Sequence, residues 1–171
     1  MAWLRIIALF SLAFPACASE PVTEIKTFLN STFQEAPETH DIWIIGELRA
    51  NVRDILRHDY PLARLKYWRS GNRTAWVLDE IGKERPITVG IVIDHGKVEK
   101  VNVLIYRESR GWEVKSPAFT AQFTGARLED GMKLDRTIDG ISGATLSVRA
   151  LQKLTRLSLL LHQQVLKGEQ P

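Results

Sequence analysis

Cysteine is nearly absent: Cys17 is the one thiol among 171 residues. If the segment that carries it is removed, disulfides, iron–sulfur ligation, thiolate zinc sites and cysteine nucleophiles are all excluded. Histidine is scarce and scattered. His40, His58, His95 and His162 fall at no metal-ligating spacing, so a metal centre is not expected. His95 sits in a hairpin loop and is read as solvated. Charge of one sign is never concentrated: the formal net charge is +3 and no basic run occurs, which argues against a nucleic-acid partner. No glycine-rich phosphate loop of the Walker or dinucleotide type follows a strand pattern. Internal repeats and low-complexity segments are missing too. What remains is ordinary for a globular protein, with 44% apolar and 25% charged residues, enough for one domain with its own core.

The first eighteen residues are set aside as a leader. Arg5 is the only charge there, and residues 6–14 form an apolar run that Pro15 breaks. The run is too short to span a bilayer. Ala16-Cys17-Ala18 supplies the small-x-small site of signal peptidase. Two other readings are an N-terminal helix, which the lack of a polar face disfavours, and a lipoprotein with Cys17 at its mature end, which Phe14 and Pro15 disfavour. Export without cysteine suits a bacterial periplasm. The expected organisation is a signal peptide at 1–18, a helical segment at 19–63 and one domain at 64–171.

Val22, Ile25, Phe28, Leu29 and Phe33 recur at helical spacing, so the spacing predicts a helix over 22–33. Residues 34–39, with Pro37, read as a loop. Leu48, Val52, Ile55 and Leu56 predict a second helix over 46–58, ended by Asp59-Tyr60-Pro61. From residue 64 the period becomes two. Strands are expected around Leu65 and Tyr67, at 74–79, at 87–93 and at 97–106, with turns at Ser70-Gly71-Asn72 and Asp94-His95-Gly96. The economical architecture is α+β: an antiparallel meander with helices packed on one face, an N-terminal helical segment and a long C-terminal helix. Residues 107–144 are rich in turn formers, and a connection of that length is usually functional. Trp112, Phe119 and Phe123 argue for its burial. Leu146, Ala150, Leu154, Leu157, Leu161 and Val165 mark the last helix, at 145–167.

One segment stands apart. Asp139-Gly140-Ile141-Ser142-Gly143-Ala144-Thr145 runs straight into that last helix. It places small residues and two hydroxyls at a helix N-terminus, where backbone N–H groups and the helix dipole favour an anion. Three readings are open. Ser142 or Thr145 is a plain N-cap, with Asp139 fixing a turn. Ser142 is a nucleophile in a variant elbow, although only His162 lies downstream and a hydrolase strand is missing. Or the helix start holds a phosphate-bearing cofactor.

The same seven residues match Asp-x-x-(Ser/Thr)-Gly-Ala-Thr, and here the chain resembles the FMN-binding domain family, with the covalent flavin subunits of the sodium-pumping NADH:quinone reductase and the Rnf complexes. Arg110-Gly111-Trp112-Glu113 and residues 119–125, with Gln122-Phe123, resemble the loop ahead of that signature, and the likeness covers roughly residues 75–165. The resemblance implies FMN joined through its phosphate to Thr145. It implies that Asp139, Ser142, Gly143 and Ala144 form the signature that a flavin transferase, using FAD and magnesium, reads. It places Arg110, Gly111 and Trp112 near the isoalloxazine ring. It also implies an electron-transfer role with a membrane or periplasmic redox partner. Members within the ion-pumping complexes carry a transmembrane anchor; a cleavable leader fits a soluble or peripheral carrier better. The other function class is a cofactor-free periplasmic binding or adaptor module of the same fold.

Overall fold

The computed structural model describes residues 20–168. The leader read at 1–18, with Cys17, lies outside the described residues. Among them no helix is long and apolar enough to cross a membrane.

A five-stranded antiparallel sheet is the frame, with strands in chain order: β1 (Glu38–Trp43), β2 (Arg64–Ser70), β3 (Arg73–Ile81), β4 (Pro86–Asp94) and β5 (Lys97–Ile105). The predicted meander is therefore present. Its tight turns use positive φ, at Gly71 (58°) and at His95 (47°) with Gly96 (74°), the backbone that matches strand twist. β1 is an addition: residues 34–39 read as a loop, yet the strand starts at Glu38. Glu38-Thr39-His40-Asp41 has no apolar alternation because β1 is an edge strand, paired only with β2.

Helices cover both faces, which corrects the expectation of one. α4 (Thr145–Lys167) and α2 (Gly46–Leu56) lie on the face of Trp76, Leu78, Ile91 and Ile93. α1 (Glu20–Thr32) lies on the other, where Phe28, Phe33, Ala75 and Val92 form a separate core. Strand side chains alternate between faces, so β3 divides Trp76 and Leu78 from Ala75 and Val77. At Gly90 α1 comes close to the sheet: a Cβ there would stand 2.8 Å from the Phe28 ring. α4 buries Leu151, Leu154, Leu157, Leu159 and Leu161 completely. Its first apolar residue departs from the predicted stripe, since Leu146 is 44% exposed.

The connection from Tyr106 to Ala144 is folded but contains little regular structure. A 3-10 turn (Trp112–Lys115), α3 (Pro117–Thr120), a second 3-10 turn (Ala121–Phe123) and the short pair β6 (Leu128–Glu129) and β7 (Lys133–Leu134) follow one another. Ser116 caps α3 by accepting the Phe119 N–H at 3.2 Å. Phe119 and Phe123 are buried edge to face, 5.9 Å between centroids. Trp112 is not buried; it is 66% exposed. Gly125 and Ala126 hydrogen-bond to Val98 at the start of β5, so this connection also closes part of that sheet edge.

Candidate functional site

The signature ends where α4 begins. The Ala144 N–H donates to the Ile141 carbonyl at 3.0 Å, and Gly143 takes a φ of 80°, a turn that favours glycine there. Ala144 is the N-cap, and no side chain caps the helix. The capping reading of Ser142 or Thr145 is thereby overturned. Thr145 is the first helical residue, and it is exposed. The first intrahelical bond runs from the Val148 N–H to the Ala144 carbonyl at 3.0 Å. The N–H groups of Thr145, Leu146 and Ser147 thus have no partner within the helix and point beyond its end.

The rest of the site comes from the β5 exit. Gly111 has a φ of 81°, and a Cβ on it would stand 2.8 Å from the Ala144 Cβ and 2.9 Å from the Tyr106 hydroxyl. Only glycine lets the loop lie this close to α4. The Tyr106 hydroxyl donates to the Arg110 carbonyl at 2.5 Å. It accepts from Ser147 Oγ at 3.1 Å, because its one proton is already committed.

Between these elements lies a groove of about 570 Å³, walled on one side by Gly143, Ala144, Thr145 and Ser147, and on the other by Lys83, Glu108 and Arg110. That volume lies in the roughly 300–1,000 Å³ range of small-molecule sites. Leu146 adds an apolar surface. Of the residues singled out in the sequence, Thr145, Gly143, Ala144 and Arg110 meet in this groove, with Gly111 packed behind Ala144. Asp139 and Ser142 are exposed in the turn that leads to it and do not line it. Asp139 is held by its backbone, whose N–H donates to Gln122 Oε1 at 2.8 Å. Trp112 stands exposed beside Gly111 and is not a lining residue.

Three contributors had no sequence signal. Glu108 accepts the backbone N–H groups of Lys83, Glu84 and Arg85 at 2.6, 2.7 and 2.9 Å. These bonds, led by that of Arg85, hold its carboxyl below the usual range, with the Lys83 charge adding to them. Tyr106 and Ser147 complete the set. The histidines serve other places. His40 lies on Glu38, His58 on Glu80, and His95 on Asp94. His162 is buried between Thr74 and Gly96. None approaches Ser142, so the nucleophile reading has no base.

Residues 82–159 match the model of the FMN-binding domain family. The match spans less than half of the chain, and this stretch is similar to FMN-binding domains. The match runs from the turn after β3 to the middle of α4, so both walls of the groove lie within it. Among solved structures, the chain is similar to the crystal structure of Shewanella oneidensis NqrC, with a TM-score of 0.64 and 13% identity over 88% of this chain and 99% of that one. At that identity the likeness is one of fold. No curated protein matches the chain. The residues of the groove suit a phosphate-bearing cofactor in kind: a phosphate fits three outward N–H groups at the positive end of a helix, and Gly143 and Ala144 leave the main chain accessible.

Proposed function

We propose that the protein is an exported flavoprotein that carries FMN through a phosphoester on Thr145 and passes electrons in a periplasmic or membrane-associated redox chain. One observation carries this reading: Thr145 Oγ1 is the hydroxyl at the first position of α4, exposed in the groove, with the outward N–H groups of the first turn around it. In the attachment step the Thr145 oxygen forms a bond to the FMN phosphorus of FAD. The pyrophosphate bond breaks, AMP leaves, and the hydroxyl proton is released. A flavin transferase with magnesium supplies that step. No electrons are exchanged in it.

The residues of the chain then have distinct tasks. Gly143 and Ala144 let the phosphate approach the backbone. The first-turn N–H groups of α4 hold its oxygens, and the Arg110 charge lies opposite. Gly111 sets the distance between the two walls. Trp112 and Leu146, both exposed, offer apolar surface at the rim for the isoalloxazine ring. Asp139 and Ser142, outside the groove, remain accessible for the transferase to read. When bound, FMN supplies the redox chemistry, and the protein supplies tether, orientation and electrostatics. Covalent attachment suits an exported protein, which would lose a dissociable cofactor by dilution. Residues 64–171 are the flavin-bearing unit in this reading, and the partner is a periplasmic or membrane redox protein.

In-gel fluorescence of denatured protein tests it, after coexpression with the transferase. Wild type should fluoresce and Thr145→Ala should not, while its circular dichroism stays native because Thr145 makes no capping bond. Thr145→Ser should retain some label, since the oxygen survives. Fluorescence in Thr145→Ala would refute the site. A wild type that is colourless even before denaturation would leave the cofactor-free module as the better reading.

A further inference from the structure

We propose that Glu108 is a positioning residue of this site: its carboxylate gathers the β3–β4 turn and fixes it as the wall facing the first turn of α4. The inference rests on Thr145 as the point of attachment. It concerns a residue outside the signature.

Three successive N–H groups, from Lys83, Glu84 and Arg85, converge on the single atom Glu108 Oε1 at 2.6–2.9 Å. Successive amides aimed at one point form an anion-binding concavity. Here the anion is built into the chain, three residues past the end of β5. The turn has one further bond across it, from the Gly82 N–H to the Arg85 carbonyl at 3.1 Å. A turn with so little of its own would not hold a fixed wall.

The contacts at Gly82 show what is being held. A Cβ there would stand 2.9 Å from Glu108 Oε1, 2.9 Å from Ile87 Cδ1 and 3.4 Å from Ser147 Oγ. Turn, carboxylate and α4 therefore meet at one place, two residues along the helix from Thr145. The second tie comes from the same short segment, where Tyr106 joins the Arg110 carbonyl to Ser147. Residues 106–110 thus grip both walls, Glu108 on the turn and Tyr106 on the helix.

The arrangement also resolves a conflict of charge. A carboxylate and a phosphodiester in one groove repel each other. Three amide dipoles turned on Glu108 offset that repulsion, so the groove keeps a carboxylate for its geometry while still accepting a phosphate. Glu108 acts through the turn and does not itself touch the reacting atoms.

The test is the rate at which the transferase loads the purified apoprotein, measured against apoprotein concentration. Glu108→Gln keeps an oxygen acceptor at the same reach. Glu108→Asp keeps the charge but withdraws the oxygen by one methylene. Glu108→Ala removes both. Misplacement of a reacting group lowers kcat with little change in KM, so the Ala variant should lose about tenfold in kcat or more. The Gln variant should stay within about threefold of wild type, and the Asp variant should fall between Gln and Ala. Loading at the wild-type rate in both Ala and Asp variants overturns the inference and leaves Thr145 untouched. An Asp variant as good as wild type beside a dead Gln variant also overturns it, because charge and not reach would then be what matters. A wild type that is never loaded at Thr145 refutes the attachment reading instead, so the two failures are separable. If the Ala variant does not fold, the order of Gln and Asp still decides.

Discussion

Gly111 leaves no room for a side chain. Its φ of 81° belongs to the left-handed region, and its missing Cβ is what lets it lie against Ala144. An alanine there meets two penalties: about 1–2 kcal/mol for the backbone and about 1–3 kcal/mol for an overlap of 2.8 Å that must be relieved. Gly111→Ala should therefore destabilise by about 2 kcal/mol or more in urea unfolding. It should also push Ala144, the N-cap of α4, outward and lower flavin loading. Ala144→Gly removes the methyl it meets, so the double variant should recover part of both losses. Neighbours in contact are expected to couple in this way. Additive losses in the cycle would show that the two residues do not press on each other. The legibility of this site is uneven for a physical reason. The signature from Asp139 to Thr145 is contiguous, and its function follows from residues next to each other. Arg110 and Gly111 were legible from their own short motif. Glu108 was not, since its partners are main-chain N–H groups that any sequence possesses, brought to it only when β3, β4 and β5 pair.

At the scale of the elements, β3 meets a histidine near each end, with chemistry of opposite kinds. At the site end, His58 donates from Nε2 to the buried Glu80 at 3.0 Å and from Nδ1 to the Asp59 carbonyl at 2.9 Å. Both partners are acceptors, so the ring carries both protons. Its value is raised, by the Asp59 bond first and then by Glu80, and Lys153 of α4 adds a donor to Glu80 at 3.2 Å. At the far end, His162 accepts the Gly96 N–H at 3.1 Å and donates to Thr74 at 2.9 Å. It is neutral, and burial pushes it down to about 4. The signs differ accordingly. His58 contributes below the unfolded value near 6.5, and its contribution is lost as pH rises through its raised folded value. His162 contributes above 6.5 and loses that as pH falls toward 4, because the unfolded chain takes the proton first. The His162 loss amounts to about 2 kcal/mol by pH 5. Urea unfolding at pH 7 and pH 5 should show it in wild type and not in His162→Gln, which does not titrate. An equal acid loss in that variant would place the sensitivity elsewhere.

The same scale shows what patterning reveals and what it conceals. α4 and the central strands were legible because a long apolar period repeats over many residues. β1 was not, since an edge strand with polar residues has nothing to alternate. The second covered face had a signal of its own: β4 is apolar almost without interruption from Ile87 to Ile93 and is buried along that whole length. A strand buried on both sides reads as a continuous run, and such a run asks for a helix on each face. α1 is that second helix. Phe28 is 2% exposed and lies on Gly90. Phe28→Ala should cost about 3 kcal/mol through the cavity it leaves. Thermal unfolding should register this as a lower Tm with α4 and the groove unchanged. A shift of less than a degree would mean that α1 adds little to the second core.

For the whole molecule, the placement of α1 bears on the proposed export. α1 is described from Glu20 onward, and the small-x-small site read in the sequence ends at Ala18. Cleavage there would keep Phe28 and Phe33 on the mature chain, so the second face of the sheet would stay covered. Cleavage several residues further on would cut into α1 and weaken the cover over Ala75 and Val92. N-terminal sequencing of the periplasmic protein should begin at Ser19, and the mature chain should unfold in one cooperative step that includes α1. A lipid-modified Cys17 at the N-terminus would make the protein a membrane-anchored carrier. An intact Met1 on the exported protein would show that the first eighteen residues are retained as an anchor. Either result would replace the cleaved, peripheral carrier by a tethered one while leaving the Thr145 groove as it is.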